Sequence, residues 1–433
     1  MSFGTLTLGD MFILQSQPKD QQKGGGGGRW TSLWKQPGVR RATAKTHSLD
    51  SLVTDSAAGG CAWGCGRHIN NGAINMLPDG TQLLPIQIQA RQAGKSIGVV
   101  TTARVTHATP ASFYANAARR DYEQVIADQL LSRGVDVALG GGARFFPKEL
   151  LDQHATVHVS RTLAELEAAP AEGRLLGIFD PSHVPFAIER PSTVPGLTQM
   201  TRAALDRLSQ NEHGFVLQIE AGRVDHAAHN NDVGTLVREQ AEFDAAIGIV
   251  ADWAAGRDDT LIIITTDHGN ANPGLTLYDA PGNAAFARLA NARRSFDWIW
   301  DQVTAIKSAE QLAARVPAIV AEASGFQMSP ADVQMFVGAA TSARVMPFIE
   351  ANKWTSVLGA LLADHYGVAF ISPNHSADYV EVTALGPGAD AVGGLMDNID
   401  LHAVMVSALA LAPGELLPDM RDKLKSVTPP KSD

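Results

Sequence analysis

The chain has 433 residues, a formal net charge of −10 at pH 7 and a hydrophobic fraction of 45%. The length is enough for a large buried core, and the negative charge argues against nucleic acid or an anionic membrane as a general partner. No apolar run reaches the roughly eighteen residues that a membrane span needs, and the amino terminus has no signal-peptide pattern. For a chain of this length we take an α/β protein with an insertion as the starting expectation.

The first part of the chain is irregular in pattern. Residues 1–13 form a short mixed segment, and residues 15–28 form a polar loop that contains a flexible glycine run at 24–28. Residues 29–38 carry apolar side chains at helical spacing and predict a helix.

A candidate nucleophile follows at Ser56. The small residues from 57 to 67 predict a tight helix, so Ser56 lies where a loop turns into a helix. The unpaired amides and the positive dipole end at such a position can hold phosphate oxygens, which suits a nucleophile that carries a phosphoryl group. The competing interpretation is an ordinary helix N-cap at Ser56 or Asp55, because both residue types are preferred there.

Strands and helices then alternate along the chain. The predicted helices cover residues 87–93, 111–119, 123–132, 197–209, 233–255 and 399–411. The predicted strands cover residues 96–101, 135–139, 214–220, 260–267, 370–372 and 379–385. Near-continuous apolar strands between helices are typical of a mainly parallel sheet covered on both faces. We predict a three-layer αβα fold of the α/β class.

One long region interrupts this alternation. Residues 270–365 read as loops and helices, with helices predicted at 309–323, 330–337 and 355–365. We interpret the region as an insertion or cap within a single domain that covers residues 1–433.

Carboxylates and imidazoles recur near the predicted strand ends. Glu220 and Asp267 each end a strand, which is where parallel sheets bind ligands. Asp225 and His229 are four residues apart and share one helical face, so both can bind a single metal ion. His268 directly follows Asp267 at the end of the same strand, and His375 stands before another strand. Nitrogen and oxygen ligands together suit zinc or a similar metal. The alternative is a set of scattered structural polar residues.

The combination of these motifs resembles the alkaline phosphatase family, and most of all its bacterial secreted members. The motifs are Thr54-Asp55-Ser56-Ala57, Thr106-His107-Ala108-Thr109-Pro110, Glu220 with Asp225-His226 and His229, Thr266-Asp267-His268-Gly269, and His375-Ser376. The resemblance covers the chain from about Met1 to its end and is weakest in the loop at 15–28 and in the insertion.

The resemblance implies a role for each motif residue. Ser56 would be the nucleophile that becomes a phosphoserine, and Arg120 would clamp the phosphate. One zinc, which activates the attacking water, would be held by Asp225, His229 and His375. A second zinc, which lowers the pKa of the Ser56 hydroxyl, would be held by Asp267, His268 and Ser56. Magnesium would be held by Thr109 and Glu220. Two residues would lie just behind the ligands, near magnesium and phosphate: His107 and His226.

The family pattern also begins with an apolar strand that ends in Asp-Gly-Met, whose aspartate bridges the second zinc and the magnesium. In this sequence Met1 to Gly4 resemble the residues that follow that aspartate, and Asp10 has no strand before it. We therefore expect the chain as written to start one strand late, to be poorly stable, to bind the second zinc and magnesium weakly and to turn over slowly. The reading frame upstream of Met1 is expected to encode Asp-Gly and a secretion signal.

The leading hypothesis is a metal-dependent phosphomonoesterase with two zinc ions and one magnesium ion, located in the periplasm or secreted, and able to form a homodimer. A phosphodiesterase or sulfatase of the same superfamily is the first alternative, and an inactive relic that binds metal or phosphate is the second. The Thr54-Asp55-Ser56-Ala57 motif and Arg120 favour phosphate monoesters as substrates.

Overall fold

The computed structural model describes residues 1–19, 22 and 27–411. The strands in this part of the chain are Arg40–Lys45 (β1), Ser96–Arg104 (β2), Val137–Gly141 (β3), Val157–Ser160 (β4), Arg174–Ile178 (β5), Phe215–Glu220 (β6), Ile262–Ile264 (β7), Gly269–Asn270 (β8), Gly274–Leu275 (β9), Val368–Ala369 (β10), His375–Ser376 (β11), Val380–Leu385 (β12) and Gly394–Asp397 (β13). Helices connect most of these strands, which confirms the α/β class.

The α-helices of the described residues are Phe3–Ser16 (α1), Arg29–Leu33 (α2), Ser56–Cys65 (α3), Ile86–Gln92 (α4), Ala108–Tyr114 (α5), Glu123–Ser132 (α6), Lys148–Asp152 (α7), Leu163–Glu167 (α8), Leu197–Leu208 (α9), Gly222–His229 (α10), Val233–Ala254 (α11), Asp279–Ala287 (α12), Phe296–Thr304 (α13), Ala309–Ser324 (α14), Pro330–Ala340 (α15), Trp354–Leu361 (α16), Ala363–Tyr366 (α17) and Asp400–Ala408 (α18). None of the helices in this part of the chain is long and apolar enough to span a bilayer.

The central sheet structure has two parts. Strands β4-β5-β3-β2-β6 form a fully parallel sheet. Strands β13-β1-β12-β7 form a second sheet, in which β12 runs antiparallel to both neighbours and β13 runs parallel to β1. The sheet prediction is thus confirmed as mainly parallel. Antiparallel pairs occur in this second part and in two small two-stranded sheets, β9-β10 and β8-β11.

Helices cover both faces of the parallel sheet, because successive side chains of a strand point to opposite faces. Val99 of β2 belongs to a buried cluster with Ile86 and Leu130 from α4 and α6. The next residue, Val100, belongs to a different cluster with Met200 and other apolar residues of α9. This arrangement confirms the predicted αβα layering.

The edge strands β6 and β7 face each other across a cavity of about 570 Å³, which both strands, α11 and α18 line. Among the described residues, β6 pairs with β2 and β7 pairs with β12. The lining of the cavity reaches Ser56, Glu220 and Asp267. The cavity therefore extends from between the two sheets to the strand ends that carry the candidate site.

Several local predictions need correction. Residues 3–16, predicted as part of a mixed segment, form α1, which Ser2 caps through its hydroxyl. The predicted loop at 15–28 falls partly outside the described residues. The helix predicted at 111–119 lies instead at Ala108–Tyr114. Three residues after its end, Ala117 pairs with Ile74 in an isolated β-bridge. Strand β1 was not predicted, because alternating alanines with arginine, threonine and lysine do not read as an apolar strand.

The region after β9 is helical, as the sequence predicts. Helices α14 and α15 match the predicted segments. The hydroxyls of Ser308 and Ser329, the residues just before them, cap their amino ends. The segment predicted as one helix at 355–365 is divided into α16 and α17. Their buried side chains join Leu236 and Val237 of α11 in one apolar cluster, so the helical region packs directly against the α/β body.

Candidate active site

Ser56 is the first residue of α3 and is buried, with 6% of its surface exposed. The preceding residue, Asp55, is the N-cap, and its Oδ1 accepts a hydrogen bond of 3.0 Å from the Ala58 amide. The cap is therefore Asp55 alone, and Ser56 Oγ lies 3.0 Å from Nε2 of His268. The predicted position of Ser56 at a loop-to-helix junction is confirmed.

Glycines bring this helix close to its neighbours. A Cβ atom at Gly59 would lie 3.0 Å from Cβ of Asp267, and one at Gly60 would lie 2.7 Å from Oγ of Ser112. Both distances are shorter than ordinary side-chain packing allows. The small residues of α3 are thus what allows the start of the helix to lie against Asp267.

His229 and His375 face each other with their Nε2 atoms 3.0 Å apart. Nδ1 of His229 lies 2.6 Å from the carbonyl oxygen of Pro373, and Nδ1 of His375 lies 2.8 Å from that of Thr54. Because a carbonyl oxygen only accepts, each Nδ1 carries the proton and each Nε2 presents a lone pair. The two Nε2 atoms therefore need a proton or a metal ion between them, and together they can serve as two ligands of one ion.

Carboxylates surround this imidazole pair. The Asp225 oxygens lie 3.5 Å from Nε2 of His229 and 3.8 Å from Nε2 of His375. Asp267 Oδ2 lies 3.2 Å from Nε2 of His268, whose ring stacks on that of His375 with the centroids 3.5 Å apart. Ligand atoms of Asp225, His268 and His375 all lie within 4.8 Å of one another. The structure therefore brings the two predicted zinc ligand sets together as neighbours.

The titration behaviour of these groups follows from their contacts. Burial acts to raise the pKa of Asp225, but His229, His268 and His375 outweigh it and hold that pKa well below its usual range. Burial also acts to raise the pKa of Asp267, but the neighbouring His268 outweighs it and holds that pKa well below its usual range. Burial and the neighbouring His268 lower the pKa of His375 to about 4. Near neutral pH Asp225 and Asp267 are thus ionised and His375 is neutral, as metal ligands must be, whereas Asp267 raises the pKa of His268 against the effect of burial.

Glu220 lies at the end of β6, opposite Thr101 in the register with β2. The Thr101 hydroxyl donates to Glu220 Oε2, and Thr109 also hydrogen-bonds to this carboxylate. Burial, together with Asp267, raises the pKa of Glu220 to about 7, although the threonine hydroxyls lower it. The structure therefore brings the predicted pair Thr109 and Glu220 together and adds Thr101, which the sequence analysis missed.

Arg120 lies in the loop after α5, and its backbone amide donates to the carbonyl of Gly72 over 2.6 Å. The guanidinium donates to Asp55 Oδ2 over 3.0 Å and lies 3.2 Å from Nε2 of His107. Asp55 thus connects the helix that begins with Ser56 to the Arg120 side chain. No sequence motif indicated this contact, because the two residues are far apart in the chain.

Three further imidazoles form a separate cluster. The ring centroid of His183 lies 4.3 Å from that of His226 and 5.5 Å from that of His107. Burial is the main cause that lowers the pKa of all three. Arg120 adds to it at His107 and Arg104 adds to it at His183, and burial together with Arg223 lowers the pKa of His226 to about 3. His107 lies beside Arg120, and the ring centroid of His226 lies 5.7 Å from that of His107. Their place near magnesium and phosphate stays a prediction, whereas His183 was missed because its loop carries no motif.

Comparisons with known proteins identify the family of the chain. The family model described as alkaline phosphatase matches residues 39–411. The crystal structure of Thermus thermophilus alkaline phosphatase is 30% identical, with a TM-score of 0.86 over 96% of this chain and 91% of that chain. A cold-active alkaline phosphatase from Shewanella sp. is 26% identical, with a TM-score of 0.76 over 94% of this chain and 97% of that chain.

A curated relative shows the same similarity in sequence. Alkaline phosphatase 4 of Bacillus subtilis (strain 168) is 28% identical over 376 residues, which are 83% of this chain and 77% of the relative. The family model covers well over half of the chain. The chain therefore belongs to the alkaline phosphatase family of metal-dependent phosphomonoesterases.

Proposed function

We propose that this phosphomonoesterase acts through a phosphoserine on Ser56, with two zinc ions and one magnesium ion as cofactors. The observation that carries the proposal is the position of Ser56 Oγ at the start of α3, 3.0 Å from Nε2 of His268, whose ring stacks on that of His375. A hydroxyl beside helix amides that can hold phosphate and beside imidazoles that can bind metal supports this chemistry.

The donor sets support the assignment of the ions. One zinc would be held by Asp225, His229 and His375, and the second by Asp267, His268 and Ser56. Magnesium would be held by Thr109 and Glu220, whose oxygens are the hard ligands that it prefers. When bound, such ions stabilise the oxygens of the reacting phosphoryl group and lower the pKa of a hydroxyl or water nucleophile.

The protein side chains account for the remaining requirements of the reaction. Ser56 Oγ attacks phosphorus as the ester oxygen leaves, and water then breaks the bond between Ser56 Oγ and phosphorus and restores the hydroxyl. Arg120 supplies a planar pair of N–H donors for the equatorial phosphate oxygens. Its bond to Asp55 fixes the guanidinium relative to the helix that carries Ser56. The clamp and the nucleophile are therefore held as one unit.

Three wider assignments accompany this proposal. The helical region 270–365 acts as a cap within a single domain, supported by its packing against α11. A periplasmic or secreted location and a homodimeric assembly are supported by the resemblance to secreted bacterial members of the family.

The test is to trap the intermediate. The enzyme, supplied with zinc and magnesium, is quenched at low pH after reaction with a labelled aryl phosphate, and the labelled peptide is identified by mass spectrometry. We expect label on Ser56, no label and almost no turnover in Ser56→Ala, and wild-type behaviour in the control Ser51→Ala from the same loop. Label on any other residue would contradict the nucleophile assignment.

The same preparation separates the alternatives. Faster turnover of an aryl phosphate diester or an aryl sulfate than of the monoester would favour the phosphodiesterase or sulfatase hypothesis. Metal binding without turnover of any of the three would favour the inactive relic.

A further inference from the structure

A second group of metal-ligating side chains lies outside the candidate active site. His47 follows β1, His68 follows α3, and Asp397 ends β13. The parallel pairing of β1 with β13 sets Lys45 opposite Asp397, which brings the chain just before His47 to this carboxylate. Ligand atoms of the three residues all lie within 4.8 Å of one another.

The three side chains form more than an ordinary pair of one histidine with one carboxylate. Nε2 of His68 lies 2.9 Å from Oδ1 of Asp397, and the rings of His47 and His68 lie with their centroids 4.2 Å apart and tilted by 33°. Within the described residues, Nε2 of His68 is buried and makes no directed hydrogen bond, despite its short distance to Asp397. The ring N–H direction therefore misses the carboxylate oxygen, and this nitrogen and oxygen are close enough to bind one ion together.

Two side chains next to the site also lack hydrogen-bond partners among the described residues. Thr46 precedes His47 and Asn398 follows Asp397, and both residues are buried. In the part of the chain that the structure describes, the hydroxyl of Thr46 and both amide atoms of Asn398 have no hydrogen-bond partner. Buried polar atoms without partners are rare and usually bind ordered water or an ion.

We propose that His47, His68 and Asp397 form a second metal site that takes zinc or a similar borderline divalent ion. Two imidazoles and one carboxylate are a common protein ligand set for zinc, with water at the remaining position. Magnesium and calcium prefer shells made only of oxygen, so the two imidazoles select against them. The site is distinct from the candidate active site, since it shares no residue with it.

The position of the site gives the ion a structural role. His68 follows the carboxyl end of α3, and Ser56 begins that helix, so the ten residues between the two ends span about 15 Å. The ion is thus too far from Ser56 to contact a substrate there. The ion instead joins the loop that leads from β1 to Asp55 and the loop that follows α3.

Hydrogen bonds already connect these loops beyond the proposed site. The amide of Leu49 donates to the carbonyl of Ile69 over 3.0 Å, and the amide of Asn71 donates to Asp50 Oδ1 over 2.9 Å. Asn71 Oδ1 then accepts from the amide of Asp55 over 3.0 Å. An ion held by His47 and His68 closes the base of this pair of loops and so stabilises the backbone that ends at the N-cap of α3.

Metal content tests the proposal directly. Full-length wild type, His47→Gln and His68→Gln are stripped with a chelator, dialysed against the same zinc buffer and analysed for zinc per chain. We expect each variant to hold one zinc ion fewer than wild type and to keep turnover, while the control His213→Gln, an exposed histidine outside both sites, holds the wild-type number. Equal zinc in wild type and in the active variants would overturn the proposal.

A measurement on the wild-type protein covers the case in which a variant does not fold. Diethylpyrocarbonate modifies free imidazoles, and peptide mass spectrometry reports the modification of each histidine. We expect zinc to protect His47 and His68, and magnesium to protect neither. Equal modification of His68 with and without zinc would overturn the proposal, whatever the ions do at the candidate active site.

Discussion

Two clusters of three imidazoles lie in the candidate active site, and their charged neighbours have opposite signs. The acidic imidazole cluster contains His229, His268 and His375 with Asp225 and Asp267. The basic imidazole cluster contains His107, His183 and His226 with Arg104, Arg120 and Arg223. The same side chain therefore serves two different purposes within one site.

The neighbours decide what each imidazole can do. In the acidic imidazole cluster, Asp267 raises the pKa of His268 against the effect of burial, and the two lone pairs of His229 and His375 face each other. Such a cluster attracts cations. In the basic imidazole cluster, burial and guanidinium groups keep the rings neutral. Neutral rings can accept hydrogen bonds from arginines and orient them toward an anion without competing for it.

The largest effect is expected from breaking the acidic imidazole cluster. In Asp225→Asn, the ligand set loses a carboxylate whose charge both His229 and His375 approach, so zinc content and turnover should fall together. Residues that only hydrogen-bond to a metal ligand already contribute about 10- to 100-fold to metal affinity or activity. Because Asp225 is proposed as a ligand itself, we expect a loss of turnover of more than about 100-fold. Zinc per chain and turnover of an aryl phosphate are the measurements, with the exposed Asp206→Asn as the control. Normal zinc content in Asp225→Asn would contradict the ligand assignment.

A smaller effect is expected from Arg120→Ala, which removes the guanidinium between Asp55 and His107. A hydrogen bond to a charged group is worth about 1.5–3 kcal/mol, so inhibition by inorganic phosphate and substrate affinity should both weaken by about 10- to 100-fold. Arg119→Ala is the matched control, because that neighbouring arginine is exposed and pairs with Asp121. Unchanged inhibition by phosphate would show that Arg120 is not the clamp.

The sequence predicted those parts of the site that depend on short-range spacing. Asp225 and His229 lie on one face of α10 because they are four residues apart, and Glu220 ends β6, as an apolar run followed by an acid indicates. The small residues of α3 likewise predicted the position of Ser56.

Contacts between distant segments could not be predicted in the same way. The carbonyl of Thr54 orients His375 from 321 positions away, and Asp55 meets Arg120 from 65 positions away. His183 comes from a loop between β5 and α9 with no periodic pattern, so only the fold brings it to His107 and His226. The electrostatic contrast between the two clusters depends on these contacts and was not visible in the sequence.

A more modest change is expected from altering the charge of the basic imidazole cluster. The double variant His107→Asp and His226→Lys exchanges two neutral rings for a charged pair beside Arg120 and Arg223. Such changes behind the ligands should shift the magnesium concentration for half-maximal activity by up to about tenfold. The measurement is a magnesium titration of turnover, with His213→Asp as the control. A titration that superimposes on that of wild type would exclude both residues from the surroundings of the magnesium site.

The last expected effect concerns stability rather than turnover and comes from Glu239, a buried acid that interacts with Arg223 of the basic imidazole cluster. Glu239 Oε1 accepts from the Ala187 amide over 2.6 Å, while Oε2 is buried with no hydrogen-bond partner among the described residues. Burial, followed by the neighbouring Glu242, raises the pKa of Glu239 to about 7, although Arg190 and Arg223 lower it.

Because the pKa is higher in the folded state, the folded protein binds this proton more tightly than the unfolded chain does. The stability that protonation contributes is complete below the unfolded pKa of 4.5 and is lost as the pH rises through about 7. The shift corresponds to about 3.5 kcal/mol at about 1.4 kcal/mol per pKa unit. Glu239→Gln keeps the neutral form at every pH, so between pH 5 and pH 8 the free energy of unfolding of wild type should fall relative to that of the variant. Urea unfolding at a series of pH values measures the difference, with the exposed Glu167→Gln as the control. If the curves of wild type and Glu239→Gln remain parallel from pH 5 to pH 8, Glu239 is ionised throughout and the cations of the basic imidazole cluster outweigh its burial.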